Sequence, residues 1–340
     1  MSLKNSALVI ISFLVLLSCA ENSQKSEKFE VIQGEAQGTT YTIQLVGEGE
    51  KITKNEIDQL LNEFDASLST YKSKSEITKF NNTELNHAFP DNENYFKSCL
   101  EKSQLVYDLS EGAFDPTVFP LIDAWGFYKE VKTPLLKKEQ ADSILKFVSF
   151  EKNKLLVYKL QNDSVFLFKR DNRVKLDFNA IAQGLAVDFM AKLIADKGYK
   201  NFYIELGGEI RVAGTNKEGN KWRIGIDTPK SKGERSIQEV IEVSNKSVAT
   251  SGNYRKFYEV NGVKYGHTID PKTGMQAQQT LLSATVVMDE CALADGFATA
   301  FMVLGLEKTK EFLKKNKKLG IEVLLIYNEK GKFKTYSTIK

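Results

Sequence analysis

LLVYKLQNDSVFLFKRDNRVKLDFNAIAQGLAVDFMAKLIADKG, residues 155–198, reads as three short strands followed at once by a helix. Leu155–Leu160, Ser164–Lys169 and Val174–Phe178 are the strand-like runs. Ile181, Leu185, Phe189, Met190, Leu193 and Ile194 then fall on one helical stripe, which stops at Gly198. Successive strands without intervening helices do not build the regular β-α alternation of a doubly wound sheet. The fold class expected is therefore α+β, a compact domain of mixed sheets and helices.

The pattern extends in both directions. Upstream, Phe29–Gln33 and Thr39–Val46 are strand-like and joined through Gly34 and Gly38. Ile57, Leu60, Leu61 and Phe64 recur at helical spacing behind Thr53, a plausible N-cap. A second helix is expected from about Asn92 to Leu109, stopping at Gly112. Downstream, strands are expected at Asn201–Leu206, Trp222–Asp227, Ile237–Val243, Lys256–Val260 and Leu281–Val287. Helices at about Glu290–Leu304 and Glu307–Asn316 and two closing strands complete the chain.

The N-terminus reads differently. Lys4 precedes an apolar run from Ala7 to Leu17, too short to span ~30 Å of hydrocarbon but suited to a secretory signal peptide. Leu16-Leu17-Ser18-Cys19 resembles a lipobox, at which cleavage leaves a lipidated Cys19. An ordinary signal peptide or an uncleaved anchor is the plainer alternative. The expected organisation is a signal peptide at 1–18, a polar tether at 19–28 and one domain at 29–340. Of the other cysteines, Cys99 lies in a helical pattern that favours a buried thiol, and no disulfide with Cys291 is expected.

Composition excludes several functions. With 21 Phe and 13 Tyr the chain is not disordered. Its 47 basic and 44 acidic residues are evenly scattered, so nucleic-acid binding gets no support. His87 and His267 are the only histidines, which rules out a His-rich zinc site or a helical H-E-x-x-H motif. No phosphate-binding loop of the G-x-x-x-x-G-K-[ST] type, no G-x-G-x-x-G and no G-x-S-x-G occurs, and Gly207-Gly208 reads as a turn.

Three segments offer chemistry. Asp295 and Thr299 lie four apart on one helix and share a face, giving a carboxylate and a hydroxyl suited to Mg²⁺; such pairs are more often merely solvated. Asp177-Phe178-Asn179-Ala180-Ile181-Ala182-Gln183-Gly184 passes from strand to helix, which suits an anion, or else is a helix start capped by Asn179. His267-Thr268-Ile269-Asp270-Pro271-Lys272-Thr273-Gly274 is a turn, and its histidine is either structural or a near-neutral proton acceptor. Asp115 and Asp270 are carboxylates that could take the same proton.

These segments occur in a recognisable order. Gly38-Thr39-Thr40-Tyr41, Ser69-Thr70-Tyr71, Gly112-Ala113-Phe114-Asp115-Pro116-Thr117-Val118, Trp125-Gly126-Phe127 and Asp177 to Gly184 come first. Leu206-Gly207-Gly208-Glu209-Ile210, Val248-Ala249-Thr250-Ser251-Gly252, His267 to Gly274 and Ala294 to Thr299 follow. Together they resemble the ApbE family, from about Gly34 to Leu304.

That resemblance implies an α+β, T-fold-like domain and an FAD:protein FMN transferase. FAD is the substrate and Mg²⁺ the cofactor. FMN passes to a Thr or Ser hydroxyl of a flavin-accepting protein, and AMP leaves. It further implies a lipoprotein anchored in a membrane and facing the periplasm, with a membrane-associated electron-transfer subunit as acceptor. Position by position, Asp295 and Thr299 match side-chain metal ligands, and Ala180 matches a ligand through its backbone carbonyl. Tyr71, Ala113, Phe114 and Asp115 match flavin-nucleotide contacts. Gln183 stands where many relatives have lysine, and Gln37 where methionine is frequent. His267 matches an FAD-site residue and candidate base. Asp295 is expected to be an exposed site carboxylate whose loss spares the fold. The other readings are an FAD pyrophosphatase giving FMN and AMP, or a flavin-binding lipoprotein without turnover.

Overall fold

The computed structural model describes residues 28–127, 136–228, 237–253, 257–260, 263–266, 268–277 and 280–339. Cys19 and His267 lie outside the described residues. The chain begins with β1 (Phe29–Ala36), β2 (Thr39–Val46), α1 (Lys54–Leu68), α2 (Glu76–Asn82), β3 (Asn86–Pro90) and α3 (Tyr95–Leu109). Then come α4 (Phe119–Ala124), α5 (Lys138–Leu145), β4 (Leu156–Gln161), β5 (Ser164–Lys169), α6 (Ala182–Asp196), β6 (Asn201–Leu206) and β7 (Glu209–Ala213). The remainder is β8 (Trp222–Asp227), β9 (Ile237–Val243), β10 (Ser247–Gly252), β11 (Phe257–Val260), β12 (Val263–Gly266), β13 (Leu281–Met288), α7 (Cys291–Lys315), β14 (Glu322–Glu329) and β15 (Lys332–Ser337). The α+β expectation holds.

Eight strands form one sheet in the order β1-β2-β6-β7-β10-β13-β14-β15, and each described pair is antiparallel. Alternate residues of β2 and β6, such as Tyr41, Ile43, Phe202 and Ile204, pack into the main core with Leu185 and Met190 of α6 and Phe297 and Phe301 of α7. A second core holds Val46, Ile210, Val212, Val248, Val287 and Leu324 of the same sheet against Trp222, Ile224, Ile226, Ile241 and Val243 of the β8–β9 hairpin. The sheet is thus covered on both faces. A third cluster joins Leu121 and Trp125 of the α4 region to Val148 and Ile269.

Local chemistry explains most boundaries. Thr53 caps α1 in a capping box: its hydroxyl accepts the Glu56 N–H at 3.3 Å, while Glu56 accepts the Thr53 N–H at 2.8 Å. Gln37 and Gly38, at φ 53° and 72°, make the tight turn between β1 and β2, so the hairpin bends there and not at Gly34. Gly305, at φ 73°, breaks α7 between the two helices expected from sequence. The extended run Val174–Phe178 is not a strand. Its partner is a side chain: Leu176 donates its N–H to Asn81 Oδ1 at 2.7 Å, and Asn81 Nδ2 donates back to the Leu176 carbonyl at 2.8 Å. The fully buried Lys169 ammonium adds bonds to the Phe80 carbonyl at 3.1 Å and the Val174 carbonyl at 3.4 Å. Burial pulls this lysine down to about 8, because the charged form is the one that loses hydration. Cys99 and Cys291 are separate buried thiols.

Candidate functional site

Strand register gathers the motif segments at one end of the large sheet. Tyr41 opposes Leu206 and Leu206 opposes Glu209, so the Gln37–Gly38 and Gly207–Gly208 turns lie side by side. Val248 opposes Ile210, which carries Ser251 and Gly252 past the start of β7 toward the same end. Gln183 reaches this rim. A methyl group on Gly207 would stand 2.8 Å from Gln183 Nε2 and 2.9 Å from the Thr39 methyl. Only a glycine, here at φ 64°, leaves that space open.

The remaining motifs are tied to the same rim by specific bonds. Gln37 Nε2 donates to Asp65 at 3.1 Å, and Lys72 pairs with Asp65 at 3.4 Å, which sets the Tyr71 loop beside the β1–β2 turn. Tyr71 is 75 % exposed; its phenol is raised above the usual value by partial desolvation and by the Asp177 carboxylate. Asn179 Nδ2 donates to Thr70 Oγ1 at 3.4 Å, and the Asp177 N–H donates to the Pro116 carbonyl at 2.7 Å. Trp125 Nε1 donates to the Gly274 carbonyl at 3.0 Å, docking the Asp270–Gly274 turn. Asn179 is not the cap of α6 but stands two residues before Ile181, which holds that position, and its N–H is taken by Asp177 Oδ1 at 2.7 Å. The helix starts behind Ile181 with no side-chain cap.

Asp295 lies at the closest approach of α6 and α7. Its Oδ2 accepts the Gly184 N–H at 3.2 Å, so one amide of the α6 N-terminus is already used. The residue is only 6 % exposed, which corrects the expectation of an exposed carboxylate. Burial, only partly offset by the Gly184 bond, pushes its carboxyl up to about 7. No lysine or arginine pairs with it among the described residues. One turn on, Thr299 Oγ1 meets Ser251 Oγ of β10 at 3.1 Å.

Two neighbouring carboxyls serve the fold. Asp188 of α6 takes the N–H groups of Cys291 and Ala292, both at 2.9 Å, and so caps α7 from outside. Burial pushes Asp188 to about 6 despite those bonds. Asp115 Oδ1 accepts from Thr117 N at 2.7 Å and Thr117 Oγ1 at 2.5 Å, while Oδ2 accepts from Phe150 N at 3.1 Å. Desolvation raises Asp115 to about 6, yet its oxygens face the fold rather than a substrate. Ala113 and Phe114 are equally buried. Asp270 Oδ1 holds the Lys272 N–H at 2.9 Å within its turn. His87 is engaged with Glu76 at 2.7 Å.

Among the described residues no three His, Cys, Asp or Glu side chains gather as a metal cage. The Asp295 carboxylate and the Thr299 hydroxyl, one turn apart on α7, are oxygens that suit a hard cation, and Ala180 stands two residues before α6. An uncompensated carboxylate, buried and raised, suits a cation, because a bound charge would restore what burial removes. The hollow between Gln104, Phe150, Leu156 and Tyr158 contains none of these residues. In the sequence Ser251 is legible only as part of a motif, and Asp188 is not singled out at all. Position 188 is polar amid the apolar run Leu185–Met190, the one signal that could have marked it.

Residues 37–325 match the ApbE family. A protein from Vibrio cholerae named FAD:protein FMN transferase is 33% identical over 99% of this chain and 97% of its own length. A Haemophilus influenzae protein of the same name is 35% identical over 97% of this chain and 95% of its own. Among solved structures, the flavin transferase ApbE from Vibrio cholerae superposes with a TM-score of 0.79 at 31% identity, covering 92% of this chain and 97% of that one. The Pseudomonas stutzeri flavinyl transferase ApbE in its apo form gives 0.78 at 30% identity, with 92% and 95% covered.

Proposed function

The chain belongs to the ApbE family, and from that premise we propose that it transfers FMN from FAD to a Thr or Ser hydroxyl of an acceptor protein in a Mg²⁺-dependent reaction. The acceptor oxygen forms a bond to the FMN-side phosphorus. The bridging P–O bond breaks, AMP departs with those electrons, and the hydroxyl proton passes to a base. Chemistry of this kind asks a protein for positioning and charge neutralisation rather than a covalent nucleophile. The observation that carries the reading is the buried Asp295, without a cationic partner among the described residues, one helical turn from the Thr299 hydroxyl.

Asp295, Thr299 and the Ala180 carbonyl would hold Mg²⁺, which when bound would neutralise the pyrophosphate and polarise the bond to be broken. Gln183 at the Gly207 rim offers amide hydrogens to phosphate oxygens, where a lysine would have offered a charge. Tyr71 supplies an exposed ring for the flavin nucleotide to lie against. His267, by its place in the motif, takes the acceptor proton. The test is to incubate the protein with FAD, Mg²⁺ and a flavin-carrier domain and to weigh the products. Acceptor heavier by one FMN phosphoester, together with free AMP, is the expected result. Free FMN with AMP would make it a pyrophosphatase, and intact FAD a binder.

The lipobox at Leu16–Cys19 supports a lipid-anchored protein facing the periplasm, whose acceptor is a membrane-associated electron-transfer subunit. No described helix is long and apolar enough to cross a membrane. Cys19→Ala should therefore free the chain from the membrane fraction or leave its precursor unprocessed. Normal processing with full membrane retention would remove the anchor.

A further inference from the structure

We propose that Ser251 is a positioning residue for the metal: it takes the hydrogen of the Thr299 hydroxyl and so aims a lone pair of Thr299 Oγ1 at the cation. The inference rests on the Mg²⁺ reading above and deepens it. A hydroxyl has one hydrogen and two lone pairs. As a ligand to a hard cation it must spend a lone pair, and its hydrogen needs an acceptor elsewhere. Outer partners of this kind orient metal ligands and tune affinity.

Helical threonines usually return that hydrogen to the carbonyl four residues back. Thr309, further along α7, does so, donating to the Gly305 carbonyl at 2.7 Å. For Thr299 the corresponding carbonyl belongs to Asp295, yet its hydroxyl meets Ser251 Oγ at 3.1 Å. Strand alternation leaves Ser251 available for this. Thr250 points to the other face of β10 and bonds Thr285 at 2.9 Å, whereas the residue opposite Ser251 is Ala284, with no polar group to compete. The bond links β10 to α7 across a part-buried gap, beside the Asp295 turn.

The test uses the full chain, with Mg²⁺ and Mn²⁺ binding read by isothermal titration in the presence of FAD. Ser251→Ala should weaken metal binding by ~10-fold or more while leaving the metal-free melting temperature and FAD affinity without metal unchanged. Ser251→Thr, which retains the acceptor oxygen, should restore the affinity. If Asp295→Asn abolishes metal binding but Ser251→Ala leaves it unaltered, Ser251 has no positioning role and the metal site stands. A wild-type chain that binds neither cation, or an Asp295→Asn variant that binds as well as wild type, overturns the metal reading and this inference with it. A lowered metal-free melting temperature in step with the affinity loss would make Ser251 merely structural.

Discussion

Asp295→Asn is expected to remove flavin transfer by several orders of magnitude and, at pH 8 without metal, to raise the melting temperature. The two effects have one origin. In an unfolded chain this carboxyl ionises near its usual 3.8, but burial pushes it to about 7 in the fold. Well below pH 3.8 it is neutral in both states and costs nothing. Between about pH 4 and pH 7 the unfolded chain gives up this proton while the folded state keeps it, so stability is progressively lost across that window and levels off above pH 7. At ~1.4 kcal/mol per pH unit the penalty above pH 7 is on the order of several kcal/mol. An asparagine never incurs it, and its Oδ1 can still accept the Gly184 N–H. In chelator the variant's melting temperature should exceed that of the wild type by an amount that grows from pH 5 to pH 7 and is then level to pH 8, where it reaches several degrees. Asp115 and Asp188 shift in the same direction, but they are shared by both proteins and cancel in the difference. Saturating Mg²⁺ should stabilise only the wild type. A variant less stable at both pH values, or one active at low Mg²⁺, would contradict the site.

Gly184→Ala should be strongly disruptive despite its small size. Replacing a helical glycine by alanine ordinarily stabilises by about 1 kcal/mol. Here the added methyl would stand 2.4 Å from the Cys291 carbonyl oxygen, 2.7 Å from its carbon and 2.9 Å from the Ala292 Cα. These are backbone atoms, so no rotamer change relieves the clash. Helices α6 and α7 must separate, which breaks the Gly184–Asp295 bond and the Asp188 cap on Cys291 and Ala292. A loss of about 3 kcal/mol or more is expected by urea denaturation, with metal binding lost alongside. An unchanged or raised midpoint would show that the helices are not in this contact.

The elements legible in the sequence were those with strong local chemistry. The Thr53 cap, the β5 bounds and the helix break near Gly305 all arise within a few residues. What escaped depends on remote partners. Val174–Phe178 has the composition of a strand but is paired with the Asn81 side chain. Asn179 has the chemistry of a cap but stands two residues short of the cap position, Ile181. Spacing puts Asp295 and Thr299 on one helical face, but the burial of Asp295 is set by α6, far away in sequence. Ser251 lies in a short polar strand whose role appears only when β10 lies against α7.

The pairing of β2 with β6 also governs how the chain can assemble. Tyr41 finds Leu206 only after all of residues 47–200 have been accommodated between them. Closing so long a loop is entropically unfavourable and comes late, so this topology gives a high contact order and slow folding. Until β6 arrives, the β1–β2 hairpin offers an open edge and an apolar face that includes Ile43 and Leu45. The rim that gathers Gln37, Gln183 and Gly207 is consequently among the last parts of the molecule to form.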